Sequence, residues 1–437
     1  SLHDALPIWS KMVQGILILV IFFAFAALMM TKKMQTIIAL PLMGILIALV
    51  AGVPLISNNP ETYTIANNVL EQGAMRLSSA IAGLVFGSFF GQVLNRVGIV
   101  KGIIKKAAEL AGDKPLIIAL VLYVAASVIF AGSNGLGMVI LVGTIIIPIM
   151  LTAGISPFAS ASILLLANTT GGTLNVSGLA MYVDLFNLDI QKILSTNLLI
   201  MVPMIVAYLA FILYHVKGKS ILKKSWAMPT GDGARGQKNV NPLALLSPIV
   251  PVVLVFTMNL SIVPAVIIGI AVALLLTLPR KPLQVISASF VEGLKDVAGA
   301  MGLMIGIGIL LNAVMAPQVA TIIQPVIKMI IPTSPIAYVL IFTVLAPLAL
   351  YRGPMNMWGL GSGIGAILVA SGMNPMAAMV ALRVEGMVQG TCDPTNTHNV
   401  WSADFTKTEV NDLTKGTILW TVAAVIVSLT IASFQFF

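Results

Sequence analysis

The chain carries the same unusual segment twice. Residues 132–176 read GSNGLGMVILVGTIIIPIMLTAGISPFASASILLLANTTGGTLNV, and residues 350–394 read LYRGPMNMWGLGSGIGAILVASGMNPMAAMVALRVEGMVQGTCDP. Without any gap, the glycines, proline and small residues that interrupt the two copies coincide: Gly135 with Gly353, Gly143 with Gly361, Gly154 with Gly372, Pro157 with Pro375, Ala159 with Ala377, Gly172 with Gly390 and Thr173 with Thr391. Segments interrupted by glycine and polar residues in corresponding halves of a membrane protein indicate a transporter's binding site.

The composition predicts an all-α polytopic membrane protein. Of the 437 residues, 58% are hydrophobic and 9% are charged, and the mean hydropathy is +1.03. Several stretches reach the roughly 20 apolar residues that cross a lipid bilayer. The net charge of +9 therefore indicates basic cytoplasmic loops rather than a nucleic-acid partner. The single cysteine, Cys392, excludes an internal disulfide and a cysteine-based metal cluster.

The apolar spans and polar interruptions divide the chain into five parts. We expect N-terminal scaffold spans at 9–76, a first repeat at 77–216, a cytoplasmic linker at 217–242, a second repeat at 243–416 and a C-terminal span at 417–437. Each repeat contains a predicted re-entrant hairpin (115–153 and 335–371) and a predicted broken transmembrane helix (157–190 and 374–407). In the second repeat we expect an interfacial helix up to Asp296, followed by a crossing from Gly299 to Ala316. The first eight residues, SLHDALPI, show no targeting pattern.

Two observations predict that the repeats have inverted topology. Five predicted crossings separate the hairpins, and an odd number makes them enter the membrane from opposite faces. The basic residues agree, because one face collects most of the 24 lysines and arginines. The positive-inside rule makes that face cytoplasmic.

The first copy offers neutral oxygen ligands, which suit a small hard cation. Non-helical backbone at membrane depth is tolerated where protein or water covers it, so two facing hairpins and two helix breaks predict a polar chamber. The predicted cation-binding residues are Ser133, Asn134, Asn168, Thr169, Gly172, Thr173 and Asn175. A structural interpretation stays open, in which these groups only satisfy the loosened backbone.

The second copy differs by carrying charge. Arg352 aligns with Asn134, and Asp393 aligns with Asn175. A guanidinium at a hairpin tip suits a carboxylate, whereas an acid at the break suits proton transfer or an ion pair with Arg352. The predicted substrate-binding residues are Ser133, Asn134, Gly135, Arg352, Gly353, Asn356, Thr391 and Asn396. The predicted proton-coupling residues are Asp393, Glu385 and His398. Arg383 and Glu385 lie two positions apart, so they do not share a helix face. Structural ion pairs, and a histidine bonded to a carbonyl, stay open as alternatives.

The SNG tip, the apolar arm ending in IIP and the helix broken at GGT resemble the ion transporter superfamily, especially its citrate transporter branch. In sodium-coupled members a Ser-Asn-Thr motif at each tip binds carboxylate and helps to hold sodium. Here Ser133 and Asn134 match that motif, whereas the second tip, Tyr351-Arg352-Gly353-Pro354, departs from it. The resemblance implies a homodimer with a mobile transport unit that moves as an elevator.

The resulting hypothesis is a secondary active transporter in the plasma (inner) membrane. Its expected substrate is a small organic anion, such as a di- or tricarboxylate like citrate, and its coupling ion is H⁺ or Na⁺, with no other cofactor. A cation/proton antiporter of the same architecture is the alternative. An enzyme is disfavoured because the sequence has no HExxH, serine–lysine or paired-aspartate constellation.

Overall fold

In the computed structural model, which describes residues 2–217, 240–328 and 331–437, the chain folds into helices with no strand among those residues. Most of the predicted linker at 217–242 lies outside the described residues. The α-helices are α1 (Leu2–Met30), α2 (Thr36–Val50), α3 (Gly73–Met75), α4 (Ser78–Arg96), α5 (Ile99–Ala111), α6 (Pro115–Gly132), α7 (Leu136–Thr152), α8 (Pro157–Leu174), α9 (Val176–Phe186), α10 (Ile190–Lys217), α11 (Val250–Met258), α12 (Ile262–Thr277), α13 (Pro282–Val314), α14 (Pro317–Lys328), α15 (Pro335–Leu345), α16 (Leu360–Ala370), α17 (Pro375–Cys392), α18 (Thr397–Thr406) and α19 (Val410–Phe436). A π-helix (Ile65–Gln72) precedes α3, and 3₁₀ segments (Pro242–Ile249 and Ala346–Arg352) flank α11 and α15.

Seven stretches of the described chain are long and apolar enough to cross a membrane. They are Lys11–Met30, Ile65–Arg96, Pro115–Gly132, Ile190–Val216, Pro282–Val314, Pro335–Arg352 and Val410–Phe436. The prediction of an all-α polytopic membrane protein is therefore confirmed. The inverted orientation of the repeats stays a prediction, because helix bounds alone do not orient a helix in the bilayer.

The two helices that enter the predicted breaks have equivalent bounds. Both α8 and α17 span 18 residues and begin with a proline, a residue favoured in the first helical turn. A side chain caps each start: Ser156 accepts from the Ala159 amide and Asn374 from the Met376 amide. The helix α8 stops at Asn175, and α17 stops at Asp393.

Two details differ from the sequence-based expectations. The predicted interfacial helix ending near Asp296 is wrong, because α13 continues unbroken for 33 residues. Its glycines let it pack closely on its neighbours; a Cβ on Gly306 would lie 3.0 Å from the Pro41 ring. The second hairpin tip is also longer than the first, because α16 begins only at Leu360.

The helix α4 packs against both α9 and the first hairpin tip through a row of glycines. A Cβ on Gly83 would lie 3.1 Å from the Ala180 Cβ, and one on Gly91 would overlap the Ser133 hydroxyl. Small residues at such spacing let helices approach closely in membranes. The start of α4 has no capping side chain of its own. Asp184 of α9 supplies one instead, since its carboxylate accepts from the Ala80 amide at 2.8 Å and from the Ser79 side chain.

We expect Asp184→Ala to lower the free energy of unfolding by about 1–2 kcal/mol, since it removes a carboxylate from a helix N-terminus. Thermal unfolding of purified protein in detergent measures this loss. Asp404→Ala is the control, because its carboxylate is 80% exposed and bonds only the Lys407 ammonium among the described residues. Equal shifts for the two variants would contradict the capping role.

Candidate functional site

The two hairpin tips and the two helix breaks line one cavity of about 990 Å³. Eleven of the predicted site residues lie on its wall: Asn134, Gly135, Asn168, Thr169, Gly172, Thr173, Asn175, Arg352, Asn356, Asn396 and His398. The helix α13 closes the cavity from another side through Asp296, Val297 and Gly299. The structure therefore brings together residues that are more than 200 positions apart in sequence.

The first tip is a tight connection that only glycine completes. Three residues join α6 to α7, and the last, Gly135, has a φ of +125°. The Gly135 amide donates to the Asn134 side chain at 2.6 Å. Ser133 turns away from the cavity and is buried beside Gly91 of α4. Asn134 lies against α8, because a Cβ on Gly172 would come within 2.6 Å of its amide nitrogen.

Most polar groups at the first break already have protein partners. The Thr173 hydroxyl donates to the Thr169 carbonyl, and the Asn175 amide donates to the Ala131 carbonyl. The Gly172 carbonyl accepts from the Arg383 guanidinium at 2.8 Å. Within the described structure, Asn168 is the predicted cation ligand whose side-chain oxygen is buried without a hydrogen-bond partner. The predicted cation ligands thus surround a spot where a guanidinium already bonds a carbonyl.

Besides the bond from Arg383 to Gly172, further hydrogen bonds join the first repeat to the second near the breaks. The hydroxyls of Thr169 and Thr391 are 2.8 Å apart, and the Tyr208 hydroxyl lies 3.1 Å from Thr391. The Asn168 amide nitrogen lies 3.3 Å from Nδ1 of His398. Thr391 is buried behind the cavity wall, so it reaches the cavity only through Thr169. His398 bonds a side-chain amide rather than a carbonyl of the backbone.

Two arginines of the second repeat face the cavity. Arg352, at the second tip, has an exposed side chain. Arg383 comes from α17, where its guanidinium lies 5.7 Å from the centre of the Tyr182 ring. Its Nε is buried without a partner. Cation–π contact holds a guanidinium without using its N–H donors, and Arg383 lies on the cavity wall.

Asp393 and Glu385 do not form the ion pairs that the structural interpretation requires. The Asp393 carboxylate is fully buried and accepts from the backbone amides of Tyr351 and Arg352, not from the Arg352 guanidinium. The alternative in which Asp393 and Arg352 form an ion pair is therefore wrong in this structure. Glu385 is also fully buried, and neither carboxylate oxygen has a partner in the described chain. It lies off the cavity wall, whereas Arg383 lies on it, as their spacing on α17 predicts. Gly353 is likewise absent from the wall.

The wall also contains residues that were not among the predicted site residues, including Lys32, Tyr182, Asp296 and Arg383. Among the described lining residues the charged groups are Lys32, Arg352, Arg383 and Asp296, so basic groups outnumber acidic ones. Asp296 accepts from the Gln92 amide at 2.7 Å. The sequence points to Arg383 as a candidate, because ionisable residues inside apolar spans are often functional. It does not point to Asp296, because the segment that ends there is predicted to be an interfacial helix.

No protein-family model and no curated protein sequence matches the chain. Two solved structures resemble it across almost its whole length. The Alcanivorax borkumensis YdaH transporter is 11% identical, with a TM-score of 0.59 over 91% of this chain and 96% of that one. Neisseria gonorrhoeae MtrF, which represents a class of antimetabolite efflux pumps, is 12% identical, with a TM-score of 0.59 over 91% of this chain and 94% of that one. Neither comparison supports the citrate transporter branch in particular. The chain therefore shares the fold of these two proteins.

Proposed function

We propose that the protein is a secondary active transporter of a small organic anion. The observation that carries this proposal is the pair of guanidinium groups, Arg352 and Arg383, on the wall of one cavity between the hairpin tips and the helix breaks. Guanidinium groups bind carboxylates through two parallel hydrogen bonds. With Lys32 also on the wall, the cavity favours a substrate with more than one negative charge, such as a di- or tricarboxylate.

The coupling ion in this proposal is H⁺ or Na⁺. The neutral oxygens of Asn168, Thr169 and Thr173 suit Na⁺, and His398 beside Asn168 suits a proton. The transport cycle loads the anion between Arg352 and Arg383 and then exposes the cavity to the other side of the plasma membrane. MtrF represents efflux pumps, so outward transport is as consistent with this fold as uptake. The homodimer and the elevator motion belong to the same proposal.

A cation/proton antiporter fits the observed charges less well. Arg383 donates to the Gly172 carbonyl, so an antiporter would have to load its cation beside a guanidinium without an accompanying anion. A cation would also enter a cavity in which three basic side chains face one carboxylate. Like charges that share one cavity repel, and the repulsion is strongest where water is scarce.

Uptake into proteoliposomes tests the proposal. Purified protein is reconstituted, and labelled mono-, di- and tricarboxylates are offered under an imposed H⁺ or Na⁺ gradient of either direction. Gradient-dependent accumulation of a multivalent carboxylate supports anion transport. Cation-for-proton exchange with no anion movement would support the antiporter and overturn the proposal.

We expect Arg352→Gln and Arg383→Gln each to raise the KM for the anion by about tenfold or more, because each removes charge-assisted hydrogen bonds worth about 1.5–3 kcal/mol. Arg280→Gln is the matched control, since this exposed arginine lies in the connection between α12 and α13, away from the cavity wall. It removes the same charge and should leave the KM near the wild-type value. Unchanged KM values for both cavity variants would remove these arginines from the anion site.

We also expect Gly172→Ala to raise the KM by about two- to tenfold, the value of one neutral hydrogen bond. Its methyl group would displace the Asn134 amide, which lies 2.6 Å from that position. The melting temperature should change little, because the contact is with the end of one side chain. Gly178→Ala is the control, since this cavity glycine has 3.4 Å of room before the Asn175 side chain. Equal KM values for the two variants would contradict a role for Asn134.

A further inference from the structure

At each helix break, one buried residue ties the break to the hairpin of its own repeat. In the first repeat, the Asn175 amide nitrogen donates to the Ala131 carbonyl at 3.1 Å, and its oxygen accepts from the Gly178 amide at 2.8 Å. In the second repeat, the equivalent residue is Asp393. Its carboxylate accepts from the backbone amide of Tyr351 at 2.9 Å and from that of Arg352 at 3.4 Å. The two contacts therefore run in opposite directions. Asn175 donates to a carbonyl of the first hairpin, whereas Asp393 accepts from amides of the second.

The second tie holds an unusual backbone. Tyr351 and Arg352 have φ values of 56° and 55°, the left-handed region that side-chain-bearing residues rarely occupy. Two such residues in succession persist when their surroundings hold them there. Their two amides point to one carboxylate, which is fully buried. Since φ sets the direction of the Cα–Cβ bond, the same contact sets where the Arg352 side chain leaves the tip.

Four groups donate hydrogen bonds to the Asp393 carboxylate. In addition to the tip amides, it accepts from the Thr395 amide and the Thr395 hydroxyl, both at 2.8 Å. Three of these donors are backbone N–H groups and the fourth is the Thr395 hydroxyl, so the carboxylate joins the second tip to the start of α18. An asparagine at this position would turn its NH₂ group towards a backbone N–H and lose an acceptor.

We propose that Asp393 is the positioning residue of the anion site: it fixes the left-handed tip and thereby directs the Arg352 guanidinium into the cavity. This inference rests on the proposed function. In it, Asp393 acts on the substrate through Arg352 and not as the group that carries the coupling proton.

A double-mutant cycle with Arg352 tests this role. Asp393→Asn should raise the KM about as much as Arg352→Gln, about tenfold, with a smaller effect on the maximal rate. The double variant should be no worse than Arg352→Gln alone, because residues that act through one another are not additive. Asp296→Asn is the matched control, since it removes the other carboxylate near the cavity without touching the second tip. Its effect should add to that of Arg352→Gln. If the effects of Asp393→Asn and Arg352→Gln on the KM instead added up in the double variant, the proposal would be overturned.

A second measurement needs no substrate, so it separates failure of this inference from failure of the proposed function. In a Cys392→Ser background, which removes the single cysteine, Tyr351→Cys reports the tip through its rate of labelling by a maleimide. Asp393→Asn should change that rate several-fold, whereas Asp296→Asn should not. If Asp393→Asn does not fold, Thr395→Val replaces it, because it removes one donor from the carboxylate and should shift the rate in the same direction. An unchanged rate in the folded variant would overturn the positioning role.

Discussion

A backbone group released from a helix inside a bilayer has to find a hydrogen-bond partner, because no water replaces it there. The two breaks in this protein satisfy that constraint residue by residue. At the end of α8, the Gly172 carbonyl accepts from Arg383 and the Thr173 carbonyl from the Asn197 amide. At the end of α17, the Gln389 carbonyl accepts from Asn396 and the Cys392 carbonyl from Thr414. At each break, side chains thus satisfy carbonyls that the helix end releases, and the cavity forms where the remaining polar groups face one another.

The same constraint explains where the positive charge of the cavity is located. The C-terminal end of a helix carries a partial negative charge, which favours a cation. The end of α8 meets this preference with Arg383, a residue of the opposite repeat. The guanidinium has more donors than the Gly172 carbonyl can accept, and Arg383 lies on the cavity wall. A group that completes one helix end is therefore also available to an anion.

Local features of the sequence predict the breaks well and the long helices less well. Glycine, proline and asparagine act on the backbone of their own segment, so the ends of α8 and α17 coincide with the punctuation of the two copies. The continuity of α13 was not predictable in this way. Glu292, Lys295 and Asp296 read as a surface segment, yet Lys295 and Glu292 pair on the helix and Asp296 faces the cavity. Whether a charge in an apolar span meets water, protein or lipid depends on neighbours that are remote in sequence.

The site shows the same division between local and remote information. The presence of Asn134, Arg352 and His398 on one cavity wall follows from two tips and two breaks that converge, which the duplicated segment indicates. Their partners do not follow from it. Arg352 is held by its backbone, His398 contacts Asn168, and Glu385 faces away from the cavity. Each of these contacts depends on how one repeat is placed against the other.

A duplicated unit would, by symmetry, present the same chemistry twice. Exchanging Asn for Arg at the tip and Asn for Asp at the break gives one repeat the charge and leaves the other neutral. The contact of Arg383 with Gly172 then lets the neutral repeat use a charge that its own sequence does not contain.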